Sequence, residues 1–590
     1  MTLPLPPARF RPLSFPVALL AFVGVAFLGA CAQATRSQPA GSASQPAPRP
    51  PGEATAAGPT SPELTRADLR ARMAIVAADS MMGREAGTLG NVMATDYIAA
   101  EARRTGLEPA GEDGTFFQEV PIKSRALDPA ASLTVDGRAL APGEDYVPVP
   151  PGSLFPFGLS LTGESLPTIY GGRIGDMAVP LTPQQVRGKL VVLSPHVVGG
   201  RPAFQFWTQP GFERFAGAAG IAIATLDVSP PELVGFFRQP EEGLMDPADD
   251  RTGIPLVMIV SADAAAALLG AAPETLQPGA TGRPVRADIE YVDTSTEHPA
   301  RNVVAVLPGS DPALRGQYVA IGAHNDHVGF ETSMEHDSLR AYDLVLRREG
   351  VQSAVVEPTP EQARQAQAIL DSLRAERPAR VDSIANGADD DGSGIVALLE
   401  IAEAFARGEE RPRRSILFVW HTGEELGLLG SQWFTDHPTV PLDSIVAQLN
   451  VDMIGRGTAA DLEGGGPGYV QLIGSRRLST ELGDLVETVN QEQGGALRFD
   501  YQFDADGHPQ NYYCRSDHYM YARYGIPIVF FSTGSHPDYH MVTDEAQYID
   551  FAQLERVAGF IGDVALAVAN LDRRPVVDKP KPDPDAPCQQ

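Results

Sequence analysis

The chain has 590 residues, too many for one ordinary domain, and its hydrophobic fraction of 43% is typical of a globular protein with a sizeable core. The formal net charge of -29 argues against a protein that binds nucleic acid, because phosphate binding needs a basic face. Three cysteines are too few for a thiolate zinc cluster or a disulfide scaffold, so any metal must be held by histidine and carboxylate.

Residues 1–31 have the pattern of a secretory signal peptide. Two arginines, the first of them Arg9, precede an apolar stretch over residues 15–27 that is short for a membrane span. The stretch ends in Leu28-Gly29-Ala30-Cys31, which resembles a bacterial lipobox, so we expect Cys31 to carry a lipid anchor. Ala32 gives no retention signal, which favours the outer membrane, facing the periplasm or the cell surface. The alternative is a plain signal peptide with a chance cysteine.

The segment after the signal peptide changes character twice. Residues 32–63 are rich in Pro, Ala, Gly and Ser and predict a linker, because they cannot bury enough apolar surface to fold. Residues 64–132 are predicted to begin a catalytic domain, with helical spacing between residues 68 and 105 and a loop at 80–84. At the other end of the chain, residues 574–590 are predicted to be a flexible tail.

Residues 133–291 consist of short β-like runs separated by Gly and Pro. Strands are predicted at 189–193 and 254–260, and a helix at 262–269. Residues 216–225 predict the end of a helix that leads into another strand. This region resembles a protease-associated (PA) domain inserted into a catalytic domain, and we assign it no chemical role.

Residues 292–573 alternate buried strands with helices, the pattern of an α/β fold with a mostly parallel central sheet. The predicted strands are residues 302–307, 318–323, 415–420, 446–451 and 527–531. The predicted helices are residues 394–406, 480–491 and 550–571. Residues 330–385 form a long insertion near the site, with helical and polar spacing over 339–380.

Polar residues follow the carboxyl ends of these strands, where open α/β sheets bind their ligands. They are His324 with Asp326, Asp389 to Asp391, Glu424 with Glu425, Asp452, and His540. Each has an ordinary explanation when taken alone: adjacent aspartates often cap a helix, and a Glu-Glu pair is usually exposed. Five such groups at comparable places in one domain predict a metal centre.

The motifs around these residues resemble the co-catalytic zinc aminopeptidases of metallopeptidase family twenty-eight, which also contains the glutamate carboxypeptidases. The motifs are His324-Asn325-Asp326-His327, Asn386 to Gly394, Gly423 to Ser431, Asn450-Val451-Asp452-Met453 and His536-Pro537-Asp538-Tyr539-His540. Two features depart from simpler members of the family: the long insertion, and Asn325 where tyrosine or leucine is frequent. Both leave the substrate preference open.

The resemblance implies two zinc ions that share Asp390. One ion would add Glu425 and His540, and the other His324 and Asp452.

The resemblance also implies the roles of the residues around the ions. Glu424 would be the general base, and Asp326 would orient His324. Tyr513, which precedes the Ser-Asp-His stretch at Ser516, would help to stabilise the oxyanion. A buried tyrosine of the core is the alternative for Tyr513.

The implied activity is that of an aminopeptidase acting on peptide substrates. A glutamate-type carboxypeptidase is the first alternative; it should need arginines near the metals, and Arg515 is the nearby candidate. A glutaminyl cyclase-like transferase and a non-catalytic surface protein of the transferrin-receptor kind are further alternatives. The complete ligand set argues against both. The sequence leaves open whether Cys514 and Cys588 form a disulfide, and it does not give the oligomeric state.

Overall fold

A computed structural model describes residues 60–152, 157–175, 181–198, 201–203, 207–208, 212–245, 253–408, 411–584 and 586–590. The predicted signal peptide, Cys31 and most of the predicted linker lie outside the described residues. Within the described part of the chain, no helix is both long and apolar enough to cross a membrane. The described residues form two compact units, Pro121–Thr296 and residues 60–120 together with Glu297–Gln590.

The helices are numbered here in chain order. They are α1 (Arg66–Val76), α2 (Leu89–Thr105), α3 (Pro183–Val186), α4 (Pro231–Phe236), α5 (Ala262–Leu269), α6 (His336–Leu346), α7 (Pro360–Glu376), α8 (Gly392–Arg407), α9 (Leu429–Asp436), α10 (Thr480–Glu492), α11 (His518–Ala522) and α12 (Phe551–Asn570).

The strands are numbered in the same way. They are β1 (Glu108–Pro109), β2 (Phe117–Val120), β3 (Ile122–Leu127), β4 (Ser132–Val135), β5 (Arg138–Leu140), β6 (Tyr146–Pro148), β7 (Ser160–Leu166), β8 (Thr168–Arg173), β9 (Leu190–Ser194), β10 (Val197–Val198), β11 (Arg201–Pro202), β12 (Gly220–Ile223), β13 (Glu241–Leu244), β14 (Leu256–Val260), β15 (Val285–Ser295), β16 (Ala300–Leu307), β17 (Tyr318–His324), β18 (Phe330–Glu335), β19 (Val381–Ile384), β20 (Ser415–His421), β21 (Ile445–Val451), β22 (Tyr469–Ile473), β23 (Arg498–Asp500) and β24 (Ile528–Ser532).

The larger unit is built on one sheet, in the order β1-β16-β20-β17-β21-β24-β22-β23, with β2 also paired to β16. The four central strands, β20, β17, β21 and β24, are parallel, whereas β16 and β22 join them antiparallel. Every residue of β20, β21 and β24 is buried, as expected for strands covered on both faces. The α/β fold with a parallel centre is confirmed.

Strand β22 was not predicted from the sequence. It is five residues long, and Gln471 interrupts its apolar run. The side chain is nevertheless buried, and its Nε2 donates to the Tyr469 hydroxyl at 3.1 Å. A buried polar residue that finds a partner is compatible with a core strand, but the sequence pattern does not show the partner.

The unit Pro121–Thr296 contains two larger sheets. One has the order β6-β14-β12-β9-β8 and is parallel except at β6; the other has the order β13-β3-β15-β4-β5, with β7 also on β15. The predicted start of this region at residue 133 falls inside the unit, because β3 pairs with both β13 and β15. The segment at residues 216–225, predicted as the end of a helix that leads into a strand, contains strand β12. The resemblance to a PA domain stays a prediction.

The insertion at 330–385 contains two helices, to which the helical spacing predicted over 339–380 belongs. Strands β18 and β19 pair at its base, and α6 and α7 lie between them. Helix α7 is a separate helix from α6, because Thr359 caps its N-terminus and Pro360 occupies its first position.

The C-terminal segment predicted to be flexible is tied to the larger unit. A disulfide joins Cys514 and Cys588, and the Tyr513 main-chain N–H donates to the Gln590 side chain at 3.0 Å. The Asp578 main-chain N–H donates to the Leu478 carbonyl at 3.1 Å. The sequence left this cysteine pairing open because the partners are 74 residues apart.

Candidate metal centre

The predicted ligands lie at one edge of the central sheet. His324 is the last residue of β17, Asp452 directly follows β21, and Glu424 and Glu425 follow β20 after a short turn. Because these three strands are parallel neighbours, their carboxyl ends meet at the same edge. The loop before α8 brings Asp390 to this edge, and the loop after β24 brings His540.

Asp390 belongs to two groups of donor atoms. One group is His324, Asp390 and Asp452, and the other is His327, Asp390, Glu425 and His540; the donor atoms within each group lie within 4.8 Å of one another. Asp390 Oδ1 is 3.0 Å from His324 Nε2, and Asp390 Oδ2 is 3.0 Å from His540 Nε2. Each carboxylate oxygen therefore faces a different histidine, which is the arrangement that a carboxylate shared by two cations requires.

The chemistry of the donors fits zinc, which takes imidazole nitrogen and carboxylate oxygen. Glu425 Oε2 is 2.9 Å from His540 Nε2, and Asp452 Oδ1 is 3.7 Å from His324 Nε2. Burial would lower the pKa of His324, but the charge of Glu424 and the hydrogen bonds to Asp326 and Asp390 raise it well above its ordinary value. The site therefore carries a strongly negative field that favours cations.

The three adjacent aspartates have three different tasks. Asp390 is the shared donor described above. Asp391 caps α8 by accepting the Gly394 N–H at 2.8 Å, and its other oxygen accepts the His324 N–H at 3.1 Å. Asp389 accepts the Gly455 N–H at 2.6 Å and lies 3.3 Å from His536 Nε2. The helix-cap explanation is thus correct for one of the three residues.

A buried arginine holds the loop that carries Asp390. The Arg84 guanidinium donates to the carbonyls of Asn386 at 2.6 Å and Gly387 at 2.9 Å. It also donates to the Asp390 carbonyl at 3.4 Å, and the side chain is 0% exposed. Arg84 was predicted only as part of a loop, because nothing in the local sequence indicates which distant carbonyls it contacts.

Asp326 supports both His324 and the two glutamates. His324 Nδ1 is 3.1 Å from the Asp326 carbonyl and 3.7 Å from its carboxylate, which leaves His324 Nε2 directed at Asp390. The Asp326 carboxylate accepts the N–H groups of Glu424 at 3.2 Å and Glu425 at 3.4 Å. Asp326 therefore orients the turn after β20 as well as the histidine.

The environment of Glu424 suits a group that exchanges protons. Burial raises the pKa of Glu424 well above its ordinary value, and the nearby carboxylates of Asp452 and Glu425 act in the same direction. Asp452 itself is fixed by Ser516, whose hydroxyl donates to Asp452 Oδ2 at 2.7 Å. A base with a raised pKa beside rigid metal donors is the arrangement that hydrolytic sites use.

The structure places Tyr513 in the core rather than among the donors. Its ring packs against His518 and Tyr519, and Arg477 lies 4.4 Å from the ring centroid. Tyr539 is the tyrosine beside the centre, with its ring centroid 4.1 Å from that of His540. Burial raises the pKa of Tyr539 to about 12. These contacts give the oxyanion role predicted for Tyr513 no support.

The insertion contacts the loop that supplies His540. Arg340 of α6 forms an ion pair with Asp538, which also pairs with Arg456 at 2.9 Å. His336 Nε2 is 3.0 Å from Glu545. The insertion therefore braces this loop on both sides of His540, which its polar sequence did not indicate.

Sequence reasoning also gave no role to His327, although its motif was recognised. The His327 side chain is 0% exposed, and its Nδ1 lies 2.7 Å from Glu425 Oε1. The spacing His-x-Asp-His was a usable signal, because a strand end that turns can bring two nearby histidines to one site.

Residues 302–565 match the model of peptidase family M28. Leupeptin-inactivating enzyme 1 of Streptomyces exfoliatus is 30% identical over 170 residues, which are 28% of this chain and 34% of that protein. Leucine aminopeptidase 1 of Penicillium rubens is 30% identical over 181 residues, covering 28% of this chain and 43% of that protein. The chain thus spans less than half the length of these curated relatives.

Among solved structures, the aminopeptidase from Aneurinibacillus sp. strain AM-1 is similar with a TM-score of 0.44 and 14% sequence identity. The alignment covers 88% of this chain and 97% of that one.

Proposed function

We propose that this protein is a zinc-dependent aminopeptidase that removes N-terminal residues from peptides at a site with two zinc ions. The observation that carries this proposal is Asp390, whose two oxygens lie 3.0 Å from the nitrogens of His324 and His540. The relatives include a leucine aminopeptidase, which supports cleavage from the N-terminus.

The chain's own residues divide the work as follows. His324, Asp390 and Asp452 would hold one ion, and Asp390, Glu425 and His540 the other. Bound zinc would act as a Lewis acid toward the peptide carbonyl and lower the pKa of water. Glu424 would accept a proton from the attacking water and deliver it to the leaving amine. Its raised pKa makes it a stronger base than an exposed glutamate would be.

The cellular location is part of the proposal. Lipid attached at Cys31 would anchor the protein in the bacterial envelope, and the Pro- and Ala-rich residues 32–63 would act as a tether. Peptides in the periplasm or at the cell surface would then be the substrates.

The decisive experiment compares a short peptide with a free N-terminus and the same peptide with an acetylated N-terminus. An aminopeptidase cleaves the free peptide alone, loses activity in a metal chelator and regains it with zinc. Cleavage of the acetylated peptide from its C-terminus would favour the carboxypeptidase. No cleavage together with negligible zinc content would favour the non-catalytic surface protein.

A further inference from the structure

His327 is a buried histidine that contacts the metal centre. Its side chain is 0% exposed, and its Nδ1 lies 2.7 Å from Glu425 Oε1. The same nitrogen is 3.8 Å from Asp390 Oδ2, beyond the range of a hydrogen bond. Within this centre, the close polar contact of His327 is thus with Glu425.

The two oxygens of Glu425 have different partners. Oε2 lies 2.9 Å from His540 Nε2, and His540 Nε2 is also 3.0 Å from Asp390 Oδ2. These three atoms form a compact group suited to one ion. His327 contacts the other oxygen, Oε1, at 2.7 Å, although it also offers a donor atom within 4.8 Å of that group.

The His327 ring has little freedom to leave this position. The ring packs on the loop that carries Asp390: a Cβ added at Gly387 would lie 2.6 Å from His327 Cγ and Cδ2. The His327 main-chain N–H donates to the Arg84 carbonyl at 3.3 Å. The ring also meets that of His540 edge-on, with 5.4 Å between centroids. An imidazole fixed in this way can define the rotation of the carboxylate it contacts.

We propose that His327 is a positioning residue for the ion held by Glu425, His540 and Asp390. Its Nδ1–H donates to Glu425 Oε1 and thereby presents Oε2 to the ion. This inference rests on the proposed function, because it presupposes zinc at this site. Metal ligands are commonly fixed by such hydrogen bonds, and removing one typically costs about 10–100-fold in metal affinity.

The test uses the full chain in two variants. His327→Leu removes the hydrogen-bond donor and replaces the ring with an apolar side chain. His327→Asn instead places an amide nitrogen, which can donate, close to the position of Nδ1. Zinc affinity is measured for each ion by competition with a chromogenic chelator. We expect His327→Leu to weaken one ion by about 10–100-fold and leave the other bound, and His327→Asn to recover most of the loss. His437→Leu, which removes an imidazole stacked on Trp433 at 3.8 Å, is the matched control.

Cobalt substitution separates positioning from direct ligation. The visible absorption of bound cobalt reports its coordination number. If His327 only positions Glu425, this number is the same in the wild type and in His327→Asn. A change of coordination number in both variants would make His327 a ligand and overturn the proposal. Unchanged zinc affinity in both variants would overturn it as well and leave a packing role. A wild-type chain without zinc affinity would instead overturn the proposed function itself.

Discussion

The Asp544 carboxylate accepts the main-chain N–H of Asp390 at 3.1 Å, across 154 positions of the chain. The same oxygen accepts the Asp389 N–H at 3.0 Å. Asp544 follows His540 in the loop after β24, so this loop supplies one metal donor and fixes the backbone of the shared one. The loop that carries His540 and the backbone of Asp390 are therefore mechanically linked.

Removing the Asp544 carboxylate should loosen Asp390 and weaken both ions. We expect Asp544→Ala to lower zinc affinity by about tenfold or more, because Asp390 belongs to both donor groups. Asp544→Asn keeps one oxygen that can accept both N–H groups, so it should retain most of the affinity. Equilibrium dialysis with zinc analysis measures the effect. Full zinc content in the alanine variant would show that Arg84 alone suffices to hold the loop.

The general base can be separated from the metal donors by one substitution. Glu424→Gln should reduce kcat by about 10²–10⁴-fold, because the amide cannot accept a proton from water. Zinc content should stay that of the wild type, since Glu424 belongs to neither group of donor atoms. Steady-state kinetics and metal analysis on the same preparation check both statements. Wild-type kcat in this variant would refute the role of Glu424.

The sequence predicted those parts of the site that depend on topology. Donors such as His324 and Asp452 lie at or directly after the ends of parallel apolar strands, and parallel strands end at a common edge. The apolar run that predicts each strand therefore also predicted where along the chain its donor lies. The family resemblance then supplied the assignment of roles to Glu424 and Asp390, which spacing alone could not provide.

The sequence did not predict contacts made between distant segments. Arg84 contacts main-chain carbonyls some 300 positions away, and a carbonyl has no sequence signature. His327 was part of a motif, but its role depends on which oxygen of Glu425 it faces. Tyr513 was placed by resemblance, yet the side chain beside His540 is Tyr539. Such distinctions come from side-chain packing, which local patterns do not encode.

Membrane attachment should depend on one thiol that lies outside the described residues. We expect Cys31→Ser to abolish lipid attachment and move the protein from the membrane fraction to the soluble fraction, because residues 15–27 alone are short for a stable membrane anchor. Fractionation of cells expressing each form, with metabolic labelling by a lipid precursor, tests this. A serine variant that remains in the membrane fraction would contradict the lipoprotein assignment.

A buried ion network away from the metal centre should make stability depend on pH. Arg72 of α1 lies 2.6 Å from Glu400 and 3.4 Å from Glu101, and it also pairs with Glu403. These side chains are at most 1% exposed. Burial raises the pKa of Glu400 to about 7, although the charge of Arg72 acts against it. The pKa of Glu403 is lowered, because hydrogen bonds from Arg104 and Thr60 outweigh its burial.

The raised pKa of Glu400 predicts a stability loss as pH rises through the neutral range. The folded state keeps this proton up to about pH 7, whereas the unfolded chain releases it near its ordinary value of 4.5. Its contribution to the free energy of unfolding is therefore fully present below that value and falls by up to about 3 kcal/mol as pH rises to 7 and beyond. Glu400→Gln stays neutral, so its stability relative to wild type should improve between pH 5 and pH 8.

Glu403→Gln is a control, because its stability relative to wild type should change with pH in the opposite direction. A lowered pKa means that the Glu403 carboxylate stabilises the fold above its ordinary pKa and loses this contribution in acid. The stability of Glu403→Gln relative to wild type should therefore worsen as pH rises. Urea unfolding of the three proteins at several pH values gives both differences, and effects of pH on the metal centre cancel in the comparison. Parallel pH curves for wild type and Glu400→Gln would mean that Glu400 is already ionised in the fold.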